Sequence, residues 1–213
     1  MSAALRNRAF IEDRFAGRRL VPLEAVIPDD ITAERGDHAL NLDMMPVLPL
    51  TPAAVLVPLI ERPDGLTVLF TQRTSHLAHH AGQVSFPGGH IEPEDGGPAE
   101  TALRETEEEV GLDRSHVRIV GRLDTYVTRT GFAVTPVVGM VAPPFTLRPD
   151  PHEVAEIFEV PLDFLLDPSN HERCSAEFEG RTRFFWAMPY GRHFIWGATA
   201  GMVINLCDIL NGQ

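Results

Sequence analysis

The rhythm of apolar and polar positions changes several times along this chain. In ALRNRAFIEDRF, residues 4 to 15, apolar residues recur at helical spacing and predict a short helix. PLEAVIPDDI and NLDMMPVLPLTP follow without any period, and their prolines predict an irregular or extended N-terminal arm, residues 1–50. From AAVLVPLIE the texture turns to β. That run and LTVLFTQR flank Pro63, Asp64 and Gly65, which predicts a hairpin. HLAHHAGQVSFPGG reads as loop, broken at Gly82 and at Pro87-Gly88-Gly89.

A helix is predicted next. Gly96-Gly97 forms a loop, Pro98 takes the first helical position, Glu100 sits in the first turn and Gly111 ends the run. VRIVGRLDTYVT and GFAVTPVVGMVA predict strands around Thr130-Gly131. EVAEIFEVPLDFLL begins as strand and becomes helix, RTRFFWAMPYGRHFIWG predicts a hairpin, and ATAGMVINLCDILNG a closing helix. Strands and helices interleave irregularly, so the expected class is α/β or α+β with a mixed sheet, built as one domain over residues 51–213.

Composition narrows the function. With 213 residues, 44% of them hydrophobic, the chain can bury a full core. Its net charge of −12 argues against nucleic acid and anionic membranes as partners, since both call for a basic face. Cys174 and Cys207 form no CxxC pair, and nothing in their placement supports a disulfide. The charged start MSAALRNRAFIEDRF lacks the apolar run of a signal peptide, so a soluble cytosolic protein is expected. The proline-rich arm suggests a homodimer in which it crosses to a neighbour.

Candidate chemistry concentrates in GGHIEPEDGGPAETALRETEEEVGL, residues 88 to 112. At about 100° per residue, Ala102, Leu103, Thr106 and Val110 share a core-facing stripe, while Glu105, Glu108 and Glu109 share the arc beside it. Glu100 and Glu107 point to solvent. Arg104 lies one turn before Glu108, placed to bridge the carboxylates, but one arginine cannot neutralise three glutamates. A divalent ion can, and all-oxygen ligands select Mg²⁺ or Mn²⁺ over zinc. The Gly88-Gly89 turn lets backbone carbonyls approach the same point. The plain alternative for an acidic run is a solvated helix face; the embedded arginine and the glycines favour the metal.

This segment resembles the Nudix hydrolase box: a glycine, five residues, an acid, seven residues, then Arg-Glu-apolar-x-Glu-Glu-x-Gly-apolar. Arg104-Glu105-Thr106-Glu107-Glu108-Glu109-Val110-Gly111-Leu112 matches its end, with threonine in the apolar slot. Counted from Gly89, the acid slot holds Asp95, and one extra residue precedes Arg104. Upstream, LFTQRTSHLAHHAGQVSFPGG is similar to a signature of the coenzyme A pyrophosphatase branch, with Ala78 where that branch has a basic residue and Thr74 where it has serine. The likeness runs on through TPVVGMV, HEVAEIFEVPL and FIWGATAGM.

The resemblance implies an α/β/α sandwich that hydrolyses the diphosphate of coenzyme A or its thioesters to 3′,5′-ADP and a 4′-phosphopantetheine. It implies that Glu105 and Glu109 hold Mg²⁺ or Mn²⁺, with Glu108 a further ligand or the base, Arg104 in the catalytic set and the Gly88 carbonyl a further ligand. Arg73, His79, His80 and Gly89 are candidates for substrate contact, and Glu153 and Glu156 for further acids. A zinc site of His76, His79 and His80 is disfavoured by the loop texture around Gly82. Arg122 and Arg129 are weighed between phosphate contact and a plain surface role. Phe184, Phe185, Trp186, Phe194 and Trp196 are weighed between hairpin packing and base stacking. ADP-ribose, dinucleotides or nucleoside triphosphates remain alternative substrates, and a non-catalytic nucleotide-sensing module the alternative of another class.

Overall fold

The computed structural model describes residues 7–20, 22, 27–28, 35–76 and 80–212. In chain order its elements are α1 (Arg8–Phe15), β1 (Arg35–Gly36), β2 (Thr51–Arg62), β3 (Gly65–Arg73), β4 (Val84–Ser85), β5 (Gly88–His90), α2 (Pro98–Val110), β6 (Val117–Arg122), β7 (Tyr126–Val127), β8 (Phe132–Val141), β9 (Val154–Pro161), α3 (Leu162–Leu166), β10 (Glu172–Phe178), β11 (Arg181–Tyr190), β12 (His193–Trp196) and α4 (Gly197–Asn211). Every helix and strand expected from the apolar rhythm within these residues is present. The expected hairpin near the C terminus gains a strand, β10, which completes a separate three-stranded sheet.

β2 is the spine of the larger, mixed sheet. It runs parallel to β8 from Thr51 opposite Phe132 to Ile60 opposite Val141, and antiparallel to β3 through the predicted turn. Its unbroken apolar texture follows from burial on both faces. Val57 and Leu59 join a core with Met202, Val203 and Leu206 of α4, while Ala54 and Leu56 pack with Ala102 of α2. Helices therefore cover both faces, which gives the expected α/β/α layering. α1 enters the first of these cores through Ile11 and Phe15, both essentially inaccessible to solvent. Ion pairs add to it: Arg18 and Arg35 reach Asp124, and Arg8 reaches Glu61.

One irregularity of the sheet positions the site. β3 pairs with β2 only as far as Val68 opposite Leu59, and farther along the same edge of β2 its place is taken by β5, from Val55 opposite Gly88 to Ala53 opposite His90. The strand partner changes near Pro58. The Leu56 N–H reaches the Pro87 carbonyl at 2.9 Å, so the N–H that Pro58 lacks would point into the same gap. The end of β3 meanwhile pairs with β4 and β9, with a bulge at Gln72/Arg73. The sheet is thus split between Arg73 and Gly88, and the cleft opens there.

Candidate functional site

α2 brings the acidic arc to this split. Gly97, at φ +138°, turns the chain into Pro98, and Gly111, at φ +66°, closes the helix by donating its N–H to the Glu107 carbonyl at 3.0 Å. Ala102, Thr106 and Val110 are buried as expected, but Leu103 is only partly so. Thr101 and Glu109 occupy the buried positions instead, because the helix leans its acidic side onto β5.

Glu109 is the most constrained of the three glutamates. It is 5% exposed; one carboxylate oxygen accepts the Gly88 N–H at 3.3 Å, and the other lies 3.8 Å from Arg73. Burial pushes its pKa up to about 8, against the opposing pull of Arg73 and the Gly88 N–H. Glu105 is partly buried, and its pKa is also raised by burial despite the Arg104 guanidinium at 2.9 Å. Glu108 is exposed and meets the same guanidinium at 3.3 Å.

Arg104 therefore does bridge the carboxylates, but its principal partner is Asp95. Arg104 Nε and Nη2 donate to the two oxygens of Asp95 at 3.0 and 2.9 Å, and a further bond of 3.2 Å reaches the His90 carbonyl. Asp95 also accepts from the Thr101 hydroxyl at 2.7 Å and the Glu92 N–H at 3.0 Å. The arginine holds this carboxyl well below the usual carboxylate range, burial opposing. The acid slot of the sequence motif is thus occupied by a residue that fixes the arginine, and the arginine in turn fixes Glu105.

The two glycines are required by close approach. A Cβ on Gly88, which sits at φ +155°, would collide with the Ala54 carbonyl, and one on Gly89 would lie 2.5 Å from the Glu105 carboxylate. Arg73 stands between Glu109 and Glu153, 3.8 Å from each. Glu153 also raises the pKa of both Glu105 and Glu109, so it belongs to the same electrostatic group. His80 borders the adjoining cavity and its Nδ1 lies 2.9 Å from Gln83. His79 falls outside the described residues. Glu156 is engaged elsewhere, by Arg192 and His193 of the β11–β12 hairpin.

Among the described residues no three His, Cys, Asp or Glu side chains are gathered as a metal cage. Glu105 and Glu108 are drawn onto Arg104, and Glu109 onto Gly88 and Arg73. The donor set nevertheless fits a hard divalent ion. It is all carboxylate and backbone oxygen, it carries more negative charge than its arginines cancel, and a buried carboxylate with a raised pKa is a group that a cation stabilises.

Beside this cluster a cavity of about 570 Å³ extends from Arg73 and Gly88 to Phe178 and Phe184 of the smaller sheet. Three of the weighed aromatics, Phe184, Phe185 and Trp196, line it, as does Arg129.

The split mixed sheet and its two helical layers set an acidic helix over a glycine strand, an arrangement suited to the hydrolysis of phosphate anhydrides. The NUDIX domain matches residues 50–182, and the chain belongs to the Nudix family, whose hydrolases generally use divalent metals such as Mg²⁺ or Mn²⁺. The chain is similar to the uncharacterized Nudix hydrolase NudL of Yersinia enterocolitica, at 42% identity over 159 residues, which is 75% of this chain and 81% of the relative. Its likeness to NudL of Escherichia coli K12 is 41% over 155 residues, covering 72% and 80% of the two chains. Among solved structures it resembles the E. coli ORF135 protein at 16% identity and a TM-score of 0.46, covering 79% of this chain and 98% of that one. No helix among the described residues is long and apolar enough to cross a membrane.

Proposed function

We propose that the chain hydrolyses the diphosphate linkage of coenzyme A or acyl-coenzyme A, with Mg²⁺ or Mn²⁺, to 3′,5′-ADP and an (acyl-)4′-phosphopantetheine. The observation that carries this reading is the convergence of Glu105, Glu109, Gly88 and Arg73 at the split in the sheet. Glu109 and Gly88 come from the acidic helix and the glycine strand, and Arg73 from the upstream segment whose sequence resembles coenzyme A pyrophosphatases.

Glu105 and Glu109 would hold the metal, and the Gly88 carbonyl could complete its coordination. When bound there, such an ion would screen the diphosphate against an acidic protein and stabilise the charge that develops on the phosphoryl oxygens. Arg104, locked by Asp95, keeps Glu105 beside Gly89. Arg73, 3.8 Å from Glu109, is placed at the cleft where its guanidinium can donate to the substrate's phosphates. Glu108, the exposed glutamate, is left to take the proton of the attacking water.

The test is a panel of coenzyme A, ADP-ribose, diadenosine polyphosphates and nucleoside triphosphates, each incubated with Mg²⁺ and resolved by chromatography. Fastest turnover of coenzyme A, with 3′,5′-ADP as product, is expected. Intact coenzyme A beside rapid cleavage of ADP-ribose would overturn the substrate while leaving the hydrolase.

A further inference from the structure

The three-stranded sheet ends in an open edge. Its strands run in the order β10-β11-β12, and among the described residues β10 pairs with no strand on its outer side. The other edge is closed, since β12 runs straight into α4, whose Thr199 hydroxyl donates to the Val84 carbonyl of β4 at 3.0 Å. β10 is exposed over almost its whole length, from Glu172 to Phe178. An unpaired strand of this kind is a template for another strand.

The hairpin turn fixes which backbone groups that edge presents. Glu179 and Gly180 both have positive φ, +51° and +73°, so they form a two-residue turn in which Phe178 and Arg181 are a hydrogen-bonded pair. Alternation along the ladder then makes Ser175 opposite Phe184 a pair without mutual bonds. Asn41 shows the same from the far side of β11, donating to the Phe184 carbonyl and accepting its N–H, each at 2.9 Å. The N–H and C=O groups of Arg173, Ser175 and Glu177 consequently all point outward.

The side chains of these residues make the edge complementary to itself. A second β10 laid antiparallel about a two-fold axis at Ser175 sets Ser175 opposite the partner's Ser175 and Arg173 opposite the partner's Glu177, twice over. Every outward backbone group meets its complement in that register. Among the described residues neither Arg173 nor Glu177 has an ion pair of its own. Arg173 lies 4.8 Å over the Phe184 ring, and Glu177 accepts from the Thr182 hydroxyl at 2.6 Å. Apolar surface flanks the end of the strand. Leu42 and Val47 are 89% and 62% exposed, and Asp43 ties their segment to Arg181 and Arg183 at 2.7 Å each. Arg129, whose carbonyl accepts the Val47 N–H, lies over the Phe178 ring.

We propose that the free edge of β10 is the interface of a homodimer, formed by antiparallel pairing with β10 of a second copy about Ser175. The N-terminal arm need not cross for this, since Asn41 and Asp43 bind β11 of their own chain. Sedimentation equilibrium over a concentration series reads association without metal or turnover, so the result is independent of the hydrolase reading. The wild type is expected to dimerise. Arg173→Glu and Glu177→Arg each place like charges opposite one another on both sides of the axis and are expected to weaken the dimer at least about tenfold. The two together are expected to restore it to within about threefold of the wild type. Ser175→Pro removes the central outward donor but no bond to β11, so it is expected to be monomeric, with thermal melts showing that all the variants are folded. A wild type that stays monomeric at every concentration overturns the proposal, and the edge would then suit a strand from another protein. A dimer indifferent to the single reversals or to Ser175→Pro, or one that the double reversal fails to restore, overturns it as well.

Discussion

Arg104 and Asp95 face each other through two N–H···O bonds of 3.0 and 2.9 Å, and the arginine's remaining nitrogen rests 2.9 Å from Glu105. The pair links the loop before α2 to the middle of that helix, so the loop sets where a glutamate of the site can stand. This ordering has consequences for stability and for catalysis that can be measured separately.

Asp95→Asn leaves a largely buried guanidinium without its carboxylate and is expected to cost about 3 kcal/mol of stability, read by urea denaturation at pH 7. The native pKa of Asp95 lies below its unfolded value of about 3.9, so its contribution is present above that pH and fades as pH falls through the native value. The gap between wild type and variant should therefore narrow in acid. A gap that holds constant from pH 7 to pH 2 contradicts the pairing.

Glu109 predicts the opposite slope. Its pKa rises to about 8 on folding, so the metal-free native state keeps a proton that the unfolded chain loses above about pH 4.3. Stability contributed by the protonated form is complete below that value and is lost as pH climbs through 8. Glu109→Gln removes the titration and, without metal, should be the more stable protein at pH 9, by on the order of a few kcal/mol. Thermal melts across pH 5 to 9 in EDTA check this; parallel curves for the two proteins would refute it.

With Glu109 as the proposed ligand, metal binding displaces that same proton. Mg²⁺ affinity is expected to rise roughly tenfold per pH unit up to about pH 8 and then level off, with one proton released per ion bound below it. Calorimetry in buffers of different ionisation enthalpy counts the proton directly.

The adjacent glycines should fail in different ways. A Cβ at position 89 meets the far end of a flexible side chain, so Gly89→Ala is expected to fold normally while moving Glu105, with kcat lowered on the order of a hundredfold. At position 88 it meets backbone at a positive φ, so Gly88→Ala should lower stability itself by about 1–3 kcal/mol. Steady-state kinetics beside melting curves separates the two.

How far the sequence reveals this arrangement depends on the range of the interaction. The helix from Pro98 to Val110 is written in local signals, a proline at its start and a glycine past its end, and β2 and β3 in apolar runs that flank a turn. β10 carries no such signal, since nearly all its residues are exposed and no alternation marks a buried face. Helical spacing groups Glu109 with Glu105 and Glu108 on one arc but cannot tell that β5 covers it and leaves Glu108 in solvent. The grip of Arg104 on Asp95 depends on how the Gly96-Gly97 turn folds back, and the residue spacing alone leaves that open. Asp37, Asn41 and Asp43 lie in a stretch without period, and their attachment to Arg129, Phe184 and Arg183 exists only in the folded chain.

The account turns on whether Glu109 serves an ion that cleaves a phosphate anhydride. The direct measurement is the initial rate of coenzyme A cleavage in saturating Mg²⁺ by the wild type and by Glu109→Gln, whose amide keeps the shape but not the charge. Release of 3′,5′-ADP by the wild type, abolished by EDTA and lowered at least about a thousandfold in the variant, is the predicted result. A variant that releases 3′,5′-ADP as fast as the wild type would contradict it.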